Sequence, residues 1–178
     1  MVRAEARKLL TLPSLRWAML LTWPVCVLLT RTPADPAFYA QAGFLVFGVL
    51  AAASEHQAGG QIRTTLLAMP RRLSLQVAKA AALTAVAAPA AVVAALLAGD
   101  LAATTYLTLT ALLGAAVATM LRNAVAAVVV LLSAQFIAGP LLRGVADHLP
   151  ARDRPAVTII WTVAAAVAAA AFFDRRDA

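Results

Sequence analysis

The sequence predicts an all-α, polytopic membrane protein with six transmembrane helices, and three observations predict it. Of the 178 residues, 63% are hydrophobic and only 13% charged, with a mean hydropathy of +0.85. Soluble domains carry about a quarter charged residues, and a core of this size could not hide so much apolar surface from water. The apolar residues also fall into six runs, close to the roughly 20 residues that cross about 30 Å of hydrocarbon. Finally, the cations behind the formal charge of +7 cluster at the ends of those runs. In a soluble protein such a charge would point to nucleic acid; here its placement points to membrane topology, so no nucleic-acid partner is expected. The length suits one domain spanning residues 1–178.

The runs are Leu15–Thr30, Phe38–Ala53, Ala80–Ala98, Leu101–Met120, Ala124–Leu142 and Ala156–Phe173. The first two are short. They reach spanning length only if Arg16 snorkels toward the surface or the helices extend into their flanks. Pro24 is placed to kink the first. The last four are long and rich in Ala, Val and Leu, which suits helices packed closely through small residues. Turns are expected at Thr32–Pro36, at Gly99-Asp100 and at Arg122-Asn123. No small-residue cleavage site follows the first run, so an uncleaved first span is expected rather than a signal peptide.

The basic residues set the orientation. With the N-terminus inside, the cytoplasmic face holds Arg3, Arg7, Lys8, Arg16, Arg63, Arg71, Arg72, Lys79, Arg122, Arg175 and Arg176. The outer face holds only Arg31, Arg143, Arg152 and Arg154. This positive-inside bias places both termini and the 54–79 segment in the cytoplasm.

Residues Ser54–Lys79 form a polar, basic island between the second and third runs. Gly59-Gly60 is a helix stop, because glycine accepts left-handed geometry. Ile62, Leu66, Leu67 and Met69 then make a short amphipathic stretch closed by Pro70, with Arg71-Arg72 at headgroup level. Such a helix, lying across the cytoplasmic surface, would present Arg63, Thr64 and Thr65 to a partner. An interfacial helix that only anchors to anionic lipid has the same composition, and the residues leave both readings open.

Taken together, Glu55, the glycine pair, Arg63-Thr64-Thr65-Leu66-Leu67, Pro70-Arg71-Arg72 and Lys79 resemble the corresponding segment of bacterial ABC-2 type transporter permeases, notably actinobacterial ones. Gly60-Gln61 stands where that family usually has a Gly-Thr pair. The leader VRAEARKLLTLPSLRW is similar to the family's amphipathic elbow helix, here about residues 3–14, and the ending FFDRRDA to its aromatic-then-RRD terminus. The resemblance covers essentially the whole chain, with its specificity concentrated in the loop. It implies that segment 54–79 is a cytoplasmic coupling helix docking on a separate ABC ATPase. Glu55, Arg63, Thr64, Thr65 and Pro70 would make the contact, with Arg71, Arg72 and Lys79 anchoring at the membrane surface. It further implies a second permease copy or homologue, export as the direction, and the bacterial plasma membrane as the location. It also suggests a short re-entrant element within 135–154, for which an ordinary helix end and surface loop is the alternative.

The chain has no phosphate-loop motif of its own, so ATP and Mg²⁺ are expected on the partner subunit and no cofactor on this chain. No Asp, Glu, Lys or Arg sits mid-span, which argues against proton or sodium coupling. Gln135, Ser133 and Thr108 are the candidates for a substrate path. For Gln135 an interhelical hydrogen bond is the simpler role, and the threonines are expected to bond to their own helix carbonyls. Cys26, the single cysteine, is expected to pack as a small hydrophobe. His56 and His148 fall on opposite faces, which excludes a shared metal, and no hydrolase or paired-cysteine motif supports an intramembrane enzyme. The alternative function is a non-transporting assembly or sensory subunit whose basic loop binds lipid or a regulator.

Overall fold

The computed structural model of the chain describes residues 2–54, 72–138, 141, 149–151 and 153–176. Among these the structure is all-helical, with one isolated bridge between Ala151 and Arg154. The helices are α1 (Val2–Thr11), α2 (Pro13–Leu29), α3 (Pro36–Ala53), α4 (Arg72–Leu97), α5 (Ala103–Leu121), α6 (Ala124–Leu132) and α7 (Pro155–Arg176). A π-helical stretch, Ser133–Ala138, continues α6.

Among the described residues, four helices are long and apolar enough to cross a membrane: α3, the Leu75–Leu97 part of α4, α5, and the Pro155–Phe172 part of α7. Helix α2 and the stretch Ala124–Ala138 are apolar but shorter. This redistributes the expected lengths. The second run gains its flank, because Asp35 caps the helix by accepting from the Ala37 N–H at 2.9 Å and Pro36 supplies a preset first residue. The fifth run, expected to span Ala124–Leu142, is α-helical from Ala124 to Leu132, and a wider π ladder takes over from Ser133 to Ala138.

Two boundaries are corrected at the start of the chain and in the loop. The expected single leader helix over 3–14 is broken, since Leu12 is extended and Pro13 opens α2. A residue before proline is pushed out of the helical region, and the proline lacks the N–H that would continue α1. Arg16 reaches back across the break, its Nε donating to the Leu10 carbonyl at 2.6 Å and so capping the end of α1. The 54–79 segment is also shorter as a loop than expected. Helix α4 begins at Arg72 and holds Lys79 about 10 Å along its axis, since no Gly or Pro interrupts the chain between Pro70 and Pro89.

Helix α3 is the centre of the bundle: 61% of its span is buried, against 22% of that of α7. Its most extensive partner is α5, and the seam is made by glycine. A Cβ on Gly48 would strike the Ala111 carbonyl, and one on Gly114 would lie 2.5 Å from the Leu45 carbonyl. Leu45 meets Gly114, and Val49 clusters with Ala118 four residues further along each helix, so α3 and α5 run parallel. On the opposite side of α3, Gly43 receives the Thr22 side chain of α2. Phe44, Phe47 and Leu107 fill the interior around this seam. In a bilayer, packing of this kind gains dispersion contacts rather than relief from water, so close fit decides stability.

The α4–α5 turn carries Gly99 at φ +75, a left-handed position suited to glycine. The α5–α6 turn uses Arg122 at φ 52, after which Asn123 caps α6 by accepting from the Ala126 N–H at 3.1 Å. The bundle has two chemically distinct ends. Among the described side chains, one end carries Arg7, Arg16, Lys79 and Arg122 and no carboxylate; it is called the basic end below. The other, acidic end carries Asp35, Asp100 and Asp153 together with Arg31 and Arg154.

Candidate functional site

At the basic end the helices enclose a crevice of about 190 Å³. Its floor is α5, through Leu112, Ala115, Ala116 and Thr119. One wall is α4, through Leu75, Gln76, Lys79, Ala80, Ala82 and Leu83, and the other is α7, through Thr162, Ala166 and Ala169. Leu9 of α1 and Ala51-Ala52 at the end of α3 close the basic mouth. The space exists because the walls are largely alanine. Helices α4 and α7 both pack on α5 yet barely touch one another, so the gap between them is left unfilled.

The two threonine hydroxyls that line the crevice are already satisfied. The Thr162 hydroxyl donates to the Thr158 carbonyl at 2.8 Å, and the Thr119 hydroxyl to the Ala116 carbonyl at 2.6 Å. The other polar side chains of the lining, Gln76 and Lys79, lie one turn apart on one stripe of α4. The two described elements that flank the basic island also meet here. Helix α3 ends at Ala53 beside Ala51 and Ala52, and α4 enters three residues before Leu75. Both attachment points of residues 55–71 therefore sit at the crevice mouth.

The proposed contact residues Glu55, Arg63, Thr64, Thr65 and Pro70, the anchor Arg71, and both histidines lie outside the described residues, as does most of the suggested re-entrant stretch. Arg72 is the first residue of α4, and Lys79 lines the crevice instead of standing at the helix start. Among the described residues, no group of His, Cys, Asp and Glu side chains could hold a metal ion.

The three path candidates lie elsewhere. Gln135 is buried in the π-helical stretch, and its Nε2 donates to the Pro150 carbonyl at 2.9 Å, tying α6 to the segment that leads into α7. Its partner is thus a loop carbonyl rather than another helix. Ser133 opens the same stretch. The Thr108 hydroxyl donates to the Thr104 carbonyl at 2.8 Å, as expected for a threonine on its own helix, and Thr22, Thr84 and Thr110 do likewise. None of the three candidates lines the crevice.

Sequence reasoning missed two features. One is the crevice, whose only signal is the small side chains at Ala80, Ala115, Ala116 and Ala166, indistinguishable in sequence from ordinary tight packing. The other is Gln41 of α3, 1% exposed, whose Oε1 has no hydrogen-bond partner. Cys26 is buried and free, as expected of a small hydrophobe. No protein-family model, no curated protein and no solved structure matches the chain.

Proposed function

We propose that this chain is the membrane-spanning permease subunit of an ATP-driven ABC exporter of the ABC-2 type, working with a separate cytoplasmic ATPase and a second permease copy or homologue. In this reading α2 to α7 are six spans in a bacterial plasma membrane, α1 is the elbow helix, and the basic end faces the cytoplasm with both termini. The short α2 and α6 cross by local thinning of the bilayer or by help from their flanks. Residues 55–71 are the coupling segment, with Glu55, Arg63, Thr64, Thr65 and Pro70 meeting the ATPase and Arg71 and Arg72 at the membrane surface.

The observation that carries this reading is the attachment of the basic island. Its two ends leave from α3 and α4 at the mouth of the crevice, so a force applied to the island acts on two helices that both pack on α5. The sorting of described charges between the two ends agrees with a cytoplasmic basic face.

The test is a pull-down of the tagged chain from mild detergent, followed by mass spectrometry and an ATPase assay. A co-purifying ATPase is expected, and it should be lost on charge reversal at Arg63. Arg63→Glu or Glu55→Ala should uncouple hydrolysis from transport while the chain still inserts. A clean preparation without any nucleotide-binding partner would overturn the proposal in favour of a subunit whose basic loop binds lipid or a regulator.

A further inference from the structure

The crevice at the basic end is a site in its own right, whatever motion the island transmits. An apolar cavity of about 150 Å³ stays dry and binds small hydrocarbons, so a space of this size with its threonine hydroxyls satisfied calls for an apolar occupant rather than water. It opens sideways between α4 and α7, and the residues beside the opening are exposed and apolar: Val77 on α4, Val163 and Val167 on α7. Those lips have the chemistry of a surface against lipid tails.

The volume is also selective. A second helix, about 10 Å across with its side chains, does not fit between walls that leave about 190 Å³. Part of a single acyl chain does. The polar stripe of Gln76 and Lys79 lies on the basic side of the opening, and Arg122 stands exposed at the same end of the bundle. A tail inserted between α4 and α7 would therefore leave its headgroup beside Lys79.

We propose that the crevice is a binding site for an anionic membrane phospholipid, one acyl chain lying on Ala115 and Ala116 between α4 and α7 and the headgroup held beside Lys79. The site does not rest on the transport reading. A lipid held there would wedge α4 from α7 and set the width of the gap between them.

The full-length chain, reconstituted in nanodiscs of phosphatidylcholine, provides the test. A small fraction of phosphatidylglycerol carrying a diazirine in one acyl chain is added, or the same probe with a choline headgroup, and labelled peptides are mapped after illumination. Labelling should concentrate on residues 75–83, 112–119 and 162–169, with the glycerol probe favoured about fivefold, the preference a single cation near an anionic lipid supplies. Lys79→Gln should bring the two probes to parity without removing the label. Ala166→Phe, on an exposed position that lines the space, should remove the label from the crevice while leaving it on the outer faces; Ala80→Phe provides the same test from the opposite wall. Thermal melting of each variant shows that the bundle is intact. Label spread evenly over exposed residues such as Leu20, Val92 and Val129, label unchanged by both phenylalanines, or a chain-to-chain crosslink through the crevice would each overturn the proposal.

Discussion

Gly48 shows how much a single position can govern in this bundle. The α3–α5 seam brings backbone onto backbone, and a side chain at Gly48 has no room to move aside because the obstacle is the Ala111 carbonyl itself. Overpacking of this kind typically costs about 1–3 kcal/mol. Gly48→Leu is therefore expected to lower the melting temperature in detergent strongly, whereas Gly99→Ala, with nothing within 4 Å, should bear only the strain of its positive φ. Equal effects of the two substitutions would show that the seam does not hold the bundle. At this scale the sequence was partly legible. The threonines bond to their own helices, as their chemistry requires. The glycine seam was not legible, because Gly48 and Gly114 lie far apart in the chain and only the fold brings their helices together. Gln41 was equally silent: an uncharged residue in an apolar run gives no sign of which neighbours will fail to satisfy it.

Among the elements, the fifth apolar run departs furthest from its sequence. Its residues are uniformly apolar through Leu132, and nothing in SAQFIA announces a π turn. The wider turn brings Gln135 into the interior to meet Pro150 and sets Phe136 against Phe38 at 4.9 Å. The Gln135 bond thus closes α6 onto the approach to α7. Gln135→Leu is expected to leave the buried Pro150 carbonyl without a donor and to lower stability by about 1–3 kcal/mol, read from thermal melts of the purified chain. Unchanged stability with altered substrate preference would instead make Gln135 a wall of the path. The early start of α4 has a simpler cause. Hydropathy marks where a helix becomes apolar, while the helix itself begins where breakers end, so Arg72–Ala78 is helical although it reads as loop.

Over the whole molecule, composition and the spacing of apolar runs carried the fold class, and the sorting of charges carried the two ends. The crevice was beyond reach, because it arises from what α4 and α7 fail to fill. The alternation of the helices makes a direct prediction about sidedness. Cys26 is buried, so it should stay silent to a membrane-impermeant maleimide. In intact cells Ala34→Cys, near the acidic end, should react from outside, and Ser54→Cys should react only after lysis. Reaction of both from the same side would end the six-span reading.

The parallel seam also constrains the order in which the chain can be assembled. Adjacent spans run antiparallel, so two parallel helices can never be neighbours in the chain, and α4 must be made and threaded before α5 exists. On the six-span reading, α3, with its buried glutamine and its glycine face, therefore has only α1, α2 and α4 beside it until α5 is made. A nascent chain halted before Gly114 would display that face to lipid, a natural mark by which membrane quality control could tell an unfinished copy from a finished one.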